Sequence, residues 1–129
     1  MKKLFIFIFF IFAFGVNAVE KETTFNKELF DKAQADDKIV IVSSWIKYCS
    51  SCASQMKVLK KAKNEGELLD IKFDNIEYFS FDVTNNEISD LFDIQYQTTL
   101  LIFKGNEEVY RSIGETTADL IYEAIKTSI

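Results

Sequence analysis

The chain has 129 residues, of which 48% are hydrophobic, and carries a formal charge of −5. That length holds one domain with a core of its own, and the acidic balance counts against a nucleic-acid partner, whose phosphates need a basic surface. There are two Cys, no His and no Pro, so the commonest general base and the commonest metal ligand are missing.

Met1-Lys2-Lys3 is a short basic segment, and Leu4 to Val16 follows without a charge. Phe5, Phe7, Phe9, Phe10, Phe12 and Phe14 all fall in this run. Asn17 and Ala18 come next, and Val19-Glu20-Lys21-Glu22 turns charged. Basic, apolar, then small is the layout of a secretory signal peptide. The expected division is therefore residues 1–18 as signal, cut after Ala18, and 19–129 as one domain. A retained anchor is the alternative, but a span needs roughly 20 apolar residues, more than this run supplies. A lipoprotein signal is excluded because no Cys stands near the cut. Export predicts a periplasmic domain, in a compartment where disulfides form and persist. Losing Lys2 and Lys3 leaves 13 basic against 20 acidic residues, a mature charge of −7.

No repeat, linker or low-complexity stretch follows. Asn26 to Gln34 predicts a helix, with Leu29, Phe30 and Ala33 at helical spacing; a short strand near Glu22 to Phe25 could precede it. Lys38 to Ser44 is an apolar, β-branched run that suits a strand buried on both faces. A second helix is expected from Cys49 or Ser50 to about Asn64. Val58, Leu59 and Ala62 would face the core and Lys57, Lys60, Lys61 and Lys63 the solvent, with Gly66 as a stop signal. Ile76 to Val83 reads as a strand. Asn85 or Asn86 can cap a short helix through Phe92. Thr99–Phe103 and Glu108–Ile113 read as two strands joined by a turn containing Gly105-Asn106. Thr116 or Thr117 would cap a last helix with Leu120, Ile121, Ala124 and Ile125 as its apolar stripe. The order α, β, α, β, α, β, β, α predicts an α/β fold. A right-handed βαβ unit comes first and an antiparallel hairpin second, giving a central mixed β-sheet flanked by helices on both faces.

The chemistry is concentrated in Cys49-Ser50-Ser51-Cys52, where a buried strand runs into a helix start. Free N–H groups and the helix dipole at that point favour a negative sulfur. They supply thiolate, the attacking species. The spacing brings the second sulfur within reach of a mixed disulfide. Cys49 is assigned as nucleophile and Cys52, set deeper by the helix, as the resolving thiol. Zinc binding would need four ligands, hence two chains. A purely structural bridge over so short a loop would constrain little of the unfolded chain. Two unpaired core thiols would be unusual in an exported protein.

The run Trp45-Ile46-Lys47-Tyr48-Cys49-Ser50-Ser51-Cys52 resembles the W-x-x-W/Y-C-x-x-C signature of the thioredoxin family. Thr98 to Asn106 resembles its later x-P-T-strand-turn segment, and Ile113-Gly114 falls where the family has a glycine near the active site. The resemblance covers about residues 22 to 129. It implies a thioredoxin fold and a dithiol that exchanges with protein disulfides without a bound cofactor. Trp45, Tyr48, Gln97, Thr98 and Gly114 would form the substrate-binding rim. Trp45 and Tyr48 are equally readable as core residues, and Lys47 and Lys57 as solvated surface rather than thiolate partners. A membrane-embedded thiol reductase would be the electron donor to an exported member.

Three departures stand out. Thr98 replaces the family's cis-proline; a cis bond before a non-proline costs about 3 kcal/mol, so Gln97–Thr98 is expected to be either strained or trans. Ser43 and Ser80 stand where the family has a buried acid and its partner lysine, so another group must assist Cys52. The Ser-Ser dipeptide, with no imidazolium, points to a reductant or isomerase. A thioredoxin-fold binding module is the competing reading: it would hold a partner, or a metal or iron–sulfur cluster across a dimer, with little turnover.

Overall fold

The computed structural model describes residues 21–64 and 75–129; the expected signal peptide and the Gly66 stop lie outside them. In chain order the elements are α1 (Lys27–Ala35), β1 (Ile39–Trp45), α2 (Ser50–Asn64), β2 (Ile76–Asp82), α3 (Asn86–Phe92), β3 (Thr99–Lys104), β4 (Glu107–Ile113) and α4 (Ala118–Ser128). The eight elements follow the order read from the sequence. No strand forms at Glu22 to Phe25. That segment instead lies along β2, where the Thr24 and Phe25 amides donate to the Ser80 carbonyl at 2.8 and 3.1 Å.

The sheet runs β2-β1-β3-β4. β1 pairs with β2 in parallel and with β3 antiparallel, and β3 pairs antiparallel with β4. All seven β1 residues are buried, which is what its unbroken apolar run requires of a central strand. Because side chains alternate across a strand, β1 feeds two cores. Ile39 and Ile41 join Leu59 and Ala62 of α2 and Ile121, Ala124 and Ile125 of α4. Val40 and Val42 join Phe30 and Ala33 of α1, Phe92 of α3, and Phe79, Phe81 and Phe103 of the sheet. Helices thus cover both faces. Among the described residues, no helix is long and apolar enough to cross a membrane.

Local signals set the helix starts. The Asn26 and Asn85 side chains accept from the amides of Leu29 and Ile88, each satisfying an otherwise orphan donor. Thr117 occupies the same position on α4 without a side-chain bond. Gly105 turns the β3–β4 hairpin at φ +57°, where an added Cβ would press on Asp37 Oδ1 at 3.1 Å.

Three expected contacts are corrected. Leu29 and Leu120 are 54% and 50% exposed, because α1 and α4 each bury a narrower stripe than their apolar residues span. Lys63 is not simply solvated. Its ammonium donates to the Ile76 carbonyl and lies 3.5 Å from Glu77, tying the end of α2 to β2.

Candidate active site

The β1 strand ends at Trp45, and three residues later the backbone turns through a left-handed conformation at Tyr48, φ +65°. That turn delivers Cys49 to the start of α2. The Cys49 carbonyl accepts from the Ala53 amide at 3.3 Å, and its sulfur accepts from the Cys52 amide at 3.2 Å. A capping serine or aspartate makes the second of these bonds with its side-chain oxygen. Here the capping atom is sulfur, so the helix's free N–H groups and dipole act directly on the atom that must carry charge.

Cys49 and Cys52 form a disulfide with Cα atoms 5.3 Å apart. The two sulfurs differ in access: Cys49 is half-buried, while Cys52 is fully buried and packs with Trp45 and Met56. An incoming disulfide can therefore meet only Cys49 in line, which separates attacking from resolving thiol.

Thr98 approaches from the other side of the sequence. The Gln97–Thr98 bond is trans, since no peptide bond among the described residues is cis, and Thr98 adopts φ +60°. A β-branched residue rarely enters that region, and such strain costs about 1–3 kcal/mol. Several hydrogen bonds hold it there. The Thr98 amide donates to the Ser44 carbonyl and its own carbonyl accepts from the Gly114 amide, both at 2.9 Å. That carbonyl also accepts from Gln55 Nε2 at 3.2 Å. Ser44 fixes the loop further, donating to the Tyr96 carbonyl at 2.8 Å and accepting from the Thr99 amide at 3.1 Å. The Thr98 hydroxyl is left facing the sulfurs, 3.1 Å from Cys52 and 3.6 Å from Cys49.

Of the other residues singled out from the sequence, Trp45 is buried beneath the disulfide, whereas Tyr48, Gln97 and Gly114 are exposed. Tyr48 is 90% exposed, and the Lys47 ammonium lies 5.1 Å from its ring centre, so this lysine is engaged by an aromatic face. Gly114 has φ +84° and open space around its missing Cβ, which makes glycine a backbone requirement there. Tyr96 and Ile113, 56% and 61% exposed, add apolar surface beside these residues. Gln55 was not foreseen. It is fully buried on α2 and binds both the Thr98 and the Glu115 carbonyls, the latter at 2.8 Å. A polar side chain in step with Cys52, Leu59 and Ala62 on a buried helical stripe is the signal that marks it.

Ser43 and Ser80 face each other in register. Ser43 shares a 2.6 Å hydrogen bond with the Tyr78 hydroxyl, and Ser80 donates to the Glu22 carbonyl at 2.7 Å. Burial raises the Tyr78 hydroxyl well above the usual tyrosine range, while the serine hydroxyls pull it partly back. Ser43 and Tyr78 thus form a neutral hydroxyl pair. The native state holds the Tyr78 proton longer than the unfolded chain, so Tyr78 leaves stability untouched below pH about 10. Above it, Tyr78 should lower stability by about 1.4 kcal/mol per pH unit. Urea unfolding of wild type and Tyr78→Phe across that range should show the difference as a slope that Tyr78→Phe lacks. Among the described residues, no group of three or more Cys, Asp or Glu could hold a metal ion.

The family model for thioredoxin matches residues 17–127. Thioredoxin-1 of Saccharomyces cerevisiae is 26% identical over 101 residues, which is 78% of this chain and 86% of that protein. Among solved structures, Trxlp from Edwardsiella tarda superposes with a TM-score of 0.67 at 23% identity, covering 78% of this chain and 94% of that one. The Malassezia sympodialis thioredoxin does so with 0.62 at 20%, covering 81% and 89%. A dithiol on a helix cap, matched by sequence and by fold over most of the domain, makes this chain a member of the thioredoxin family and a thiol–disulfide oxidoreductase.

Proposed function

We propose that the chain is exported and works in the periplasm, where it reduces or isomerises disulfides of other proteins and is recharged by a membrane-embedded thiol reductase. The observation that carries the reducing direction is the set of groups around Cys49. Its sulfur is supported by one backbone amide and by hydroxyls, and the chain contains no imidazole. Strong oxidants stabilise their reduced form much further; with modest thiolate support, the disulfide form is the more stable one and the dithiol gives up electrons. The N-terminal layout of a basic segment, an apolar run and small residues supports export. An exported domain is out of reach of cytoplasmic reductases, which favours a donor in the membrane. The exposed Tyr48, next to Cys49 in the chain, and the exposed Tyr96 and Ile113, close in the chain to Thr98 and Gly114, suit a protein substrate, whose side chains can cover them.

The test is the redox equilibrium of the exported protein in graded thiol–disulfide buffers, read by alkylation and mass. A reversible two-electron midpoint below about −200 mV is expected, and one near −120 mV, as for strong oxidants, would overturn the reducing role. The same mass spectrum should show a chain beginning at Val19; a chain retaining Met1 would overturn processing after Ala18. Absence of any two-electron transition would favour the binding-module reading instead.

A further inference from the structure

We propose that Thr98 and Ser51 form a hydroxyl relay that removes the proton from the resolving thiol Cys52 and delivers it to solvent. The proposal rests on the oxidoreductase chemistry of the dithiol and adds catalytic residues to it.

The need arises from burial. Cys52 is fully buried against Trp45 and Met56, and an apolar surrounding disfavours a charged sulfur. Its proton must nevertheless leave before it can attack. Ser43, which stands where the resemblance puts a buried acid, is a neutral hydroxyl hydrogen-bonded to Tyr78. Among the described residues, the hydroxyl within hydrogen-bond reach of Cys52 Sγ is that of Thr98, at 3.1 Å. Thr98 is itself nearly fully buried, at 3% exposure, so it cannot pass a proton directly to bulk water. Its Oγ1 is, however, 3.1 Å from the hydroxyl of Ser51, which is exposed in the first turn of α2. A hydroxyl accepts and donates at once. One end of this chain is therefore the buried sulfur and the other is solvent. The backbone of Thr98 is held at φ +60° by bonds to Ser44, Gly114 and Gln55, so an otherwise disfavoured conformation is maintained with the hydroxyl on the sulfurs.

In the mixed disulfide between Cys49 and a substrate sulfur, the Cys52 S–H gives its proton to Thr98 Oγ1. Thr98 gives its own to Ser51 Oγ, and Ser51 releases one to water. The Cys52 thiolate attacks Cys49 Sγ, forming the Cys49–Cys52 bond and breaking the bond from Cys49 to the substrate sulfur. That sulfur leaves with the electron pair and takes a proton from solvent, so the two protein thiols are oxidised and the substrate disulfide is reduced. The disulfide seen here is the product of this step, with both hydroxyls still in place.

Dithiobis(nitrobenzoate) tests the relay in the reduced full-length chain, because it releases one coloured thiolate when Cys49 attacks and a second when Cys52 resolves. Thr98→Val keeps the branched shape and removes the hydroxyl. It is expected to slow the second release by about tenfold or more and the first by less than about threefold, while Thr98→Ser restores the second to near the wild-type rate. Ser51→Ala, at an exposed position, should slow the second release several-fold and keeps the test open should Thr98→Val fail to fold. An unchanged second release in Thr98→Val or Ser51→Ala overturns the relay. So does equal slowing of both releases in Thr98→Val, or a Thr98→Ser variant as slow as Thr98→Val. If the wild-type chain releases neither thiolate, the oxidoreductase reading itself fails, a result distinct from all of these.

Discussion

Cys49→Ser should abolish reduction of a protein disulfide, lowering turnover by on the order of 10³-fold or more, as loss of a nucleophile does elsewhere. The reason lies in the asymmetry of the pair. Cys49 is half-buried at the mouth of the site, with its sulfur on the α2 cap, and Cys52 is fully buried behind it. A serine at 49 would keep the cap, since its oxygen also accepts from the residue 52 amide, so the fold should survive while the chemistry is lost. Cys52→Ser should behave differently. Attack by Cys49 proceeds, resolution does not, and a mixed disulfide with the substrate accumulates. Insulin reduction followed by non-reducing mass spectrometry reads both outcomes. Substantial turnover in Cys49→Ser, or covalent trapping by Cys49 that is no better in Cys52→Ser than in wild type, would reverse or remove the assigned roles.

The largest effect on stability is expected from Phe30→Ala. Phe30 is 5% exposed and its ring centre lies 5.3 Å from that of Phe92, 5.5 Å from Phe103, 5.6 Å from Phe25 and 6.2 Å from Phe79. These are tilted or edge-on contacts, the geometry aromatic quadrupoles favour. Phe30 links α1 to α3, to two strands and to the segment before α1, so no single movement can close the gap left by its removal. Truncation of a buried Phe costs about 3–5 kcal/mol, a large part of the roughly 5–15 kcal/mol that holds a domain folded. Urea unfolding with the disulfide intact should show this loss. The redox midpoint should be unchanged, because the dithiol packs in a separate cluster with Trp45 and Met56. A loss below about 1 kcal/mol would mean that the site collapses more freely than these contacts allow.

Neighbours in the chain carry most of what the sequence alone determined. The period of apolar residues marks the helices, an asparagine at 85 or 86 marks the start of one of them, and the β-branched run at 38 to 44 marks a strand that must be covered on both sides. The Cys49-to-Cys52 spacing at a strand–helix junction defines the dithiol, because capping and dipole effects act within one helical turn. Relations across long separations were decided only in the folded chain. The missing proline already favours a trans bond before Thr98, but nothing local to Thr98 tells that its φ is +60° or that its hydroxyl lies 3.1 Å from a sulfur 46 residues earlier; those follow from bonds to Ser44, Gln55 and Gly114, which the sheet and α2 bring together. The exposure of Leu29 and Leu120 is of the same kind, since periodicity shows which face is apolar but the neighbouring elements determine how much of that face is covered. Ser43 and Ser80 likewise become a neutral, satisfied layer only because the fold supplies Tyr78 and the Glu22 carbonyl as partners.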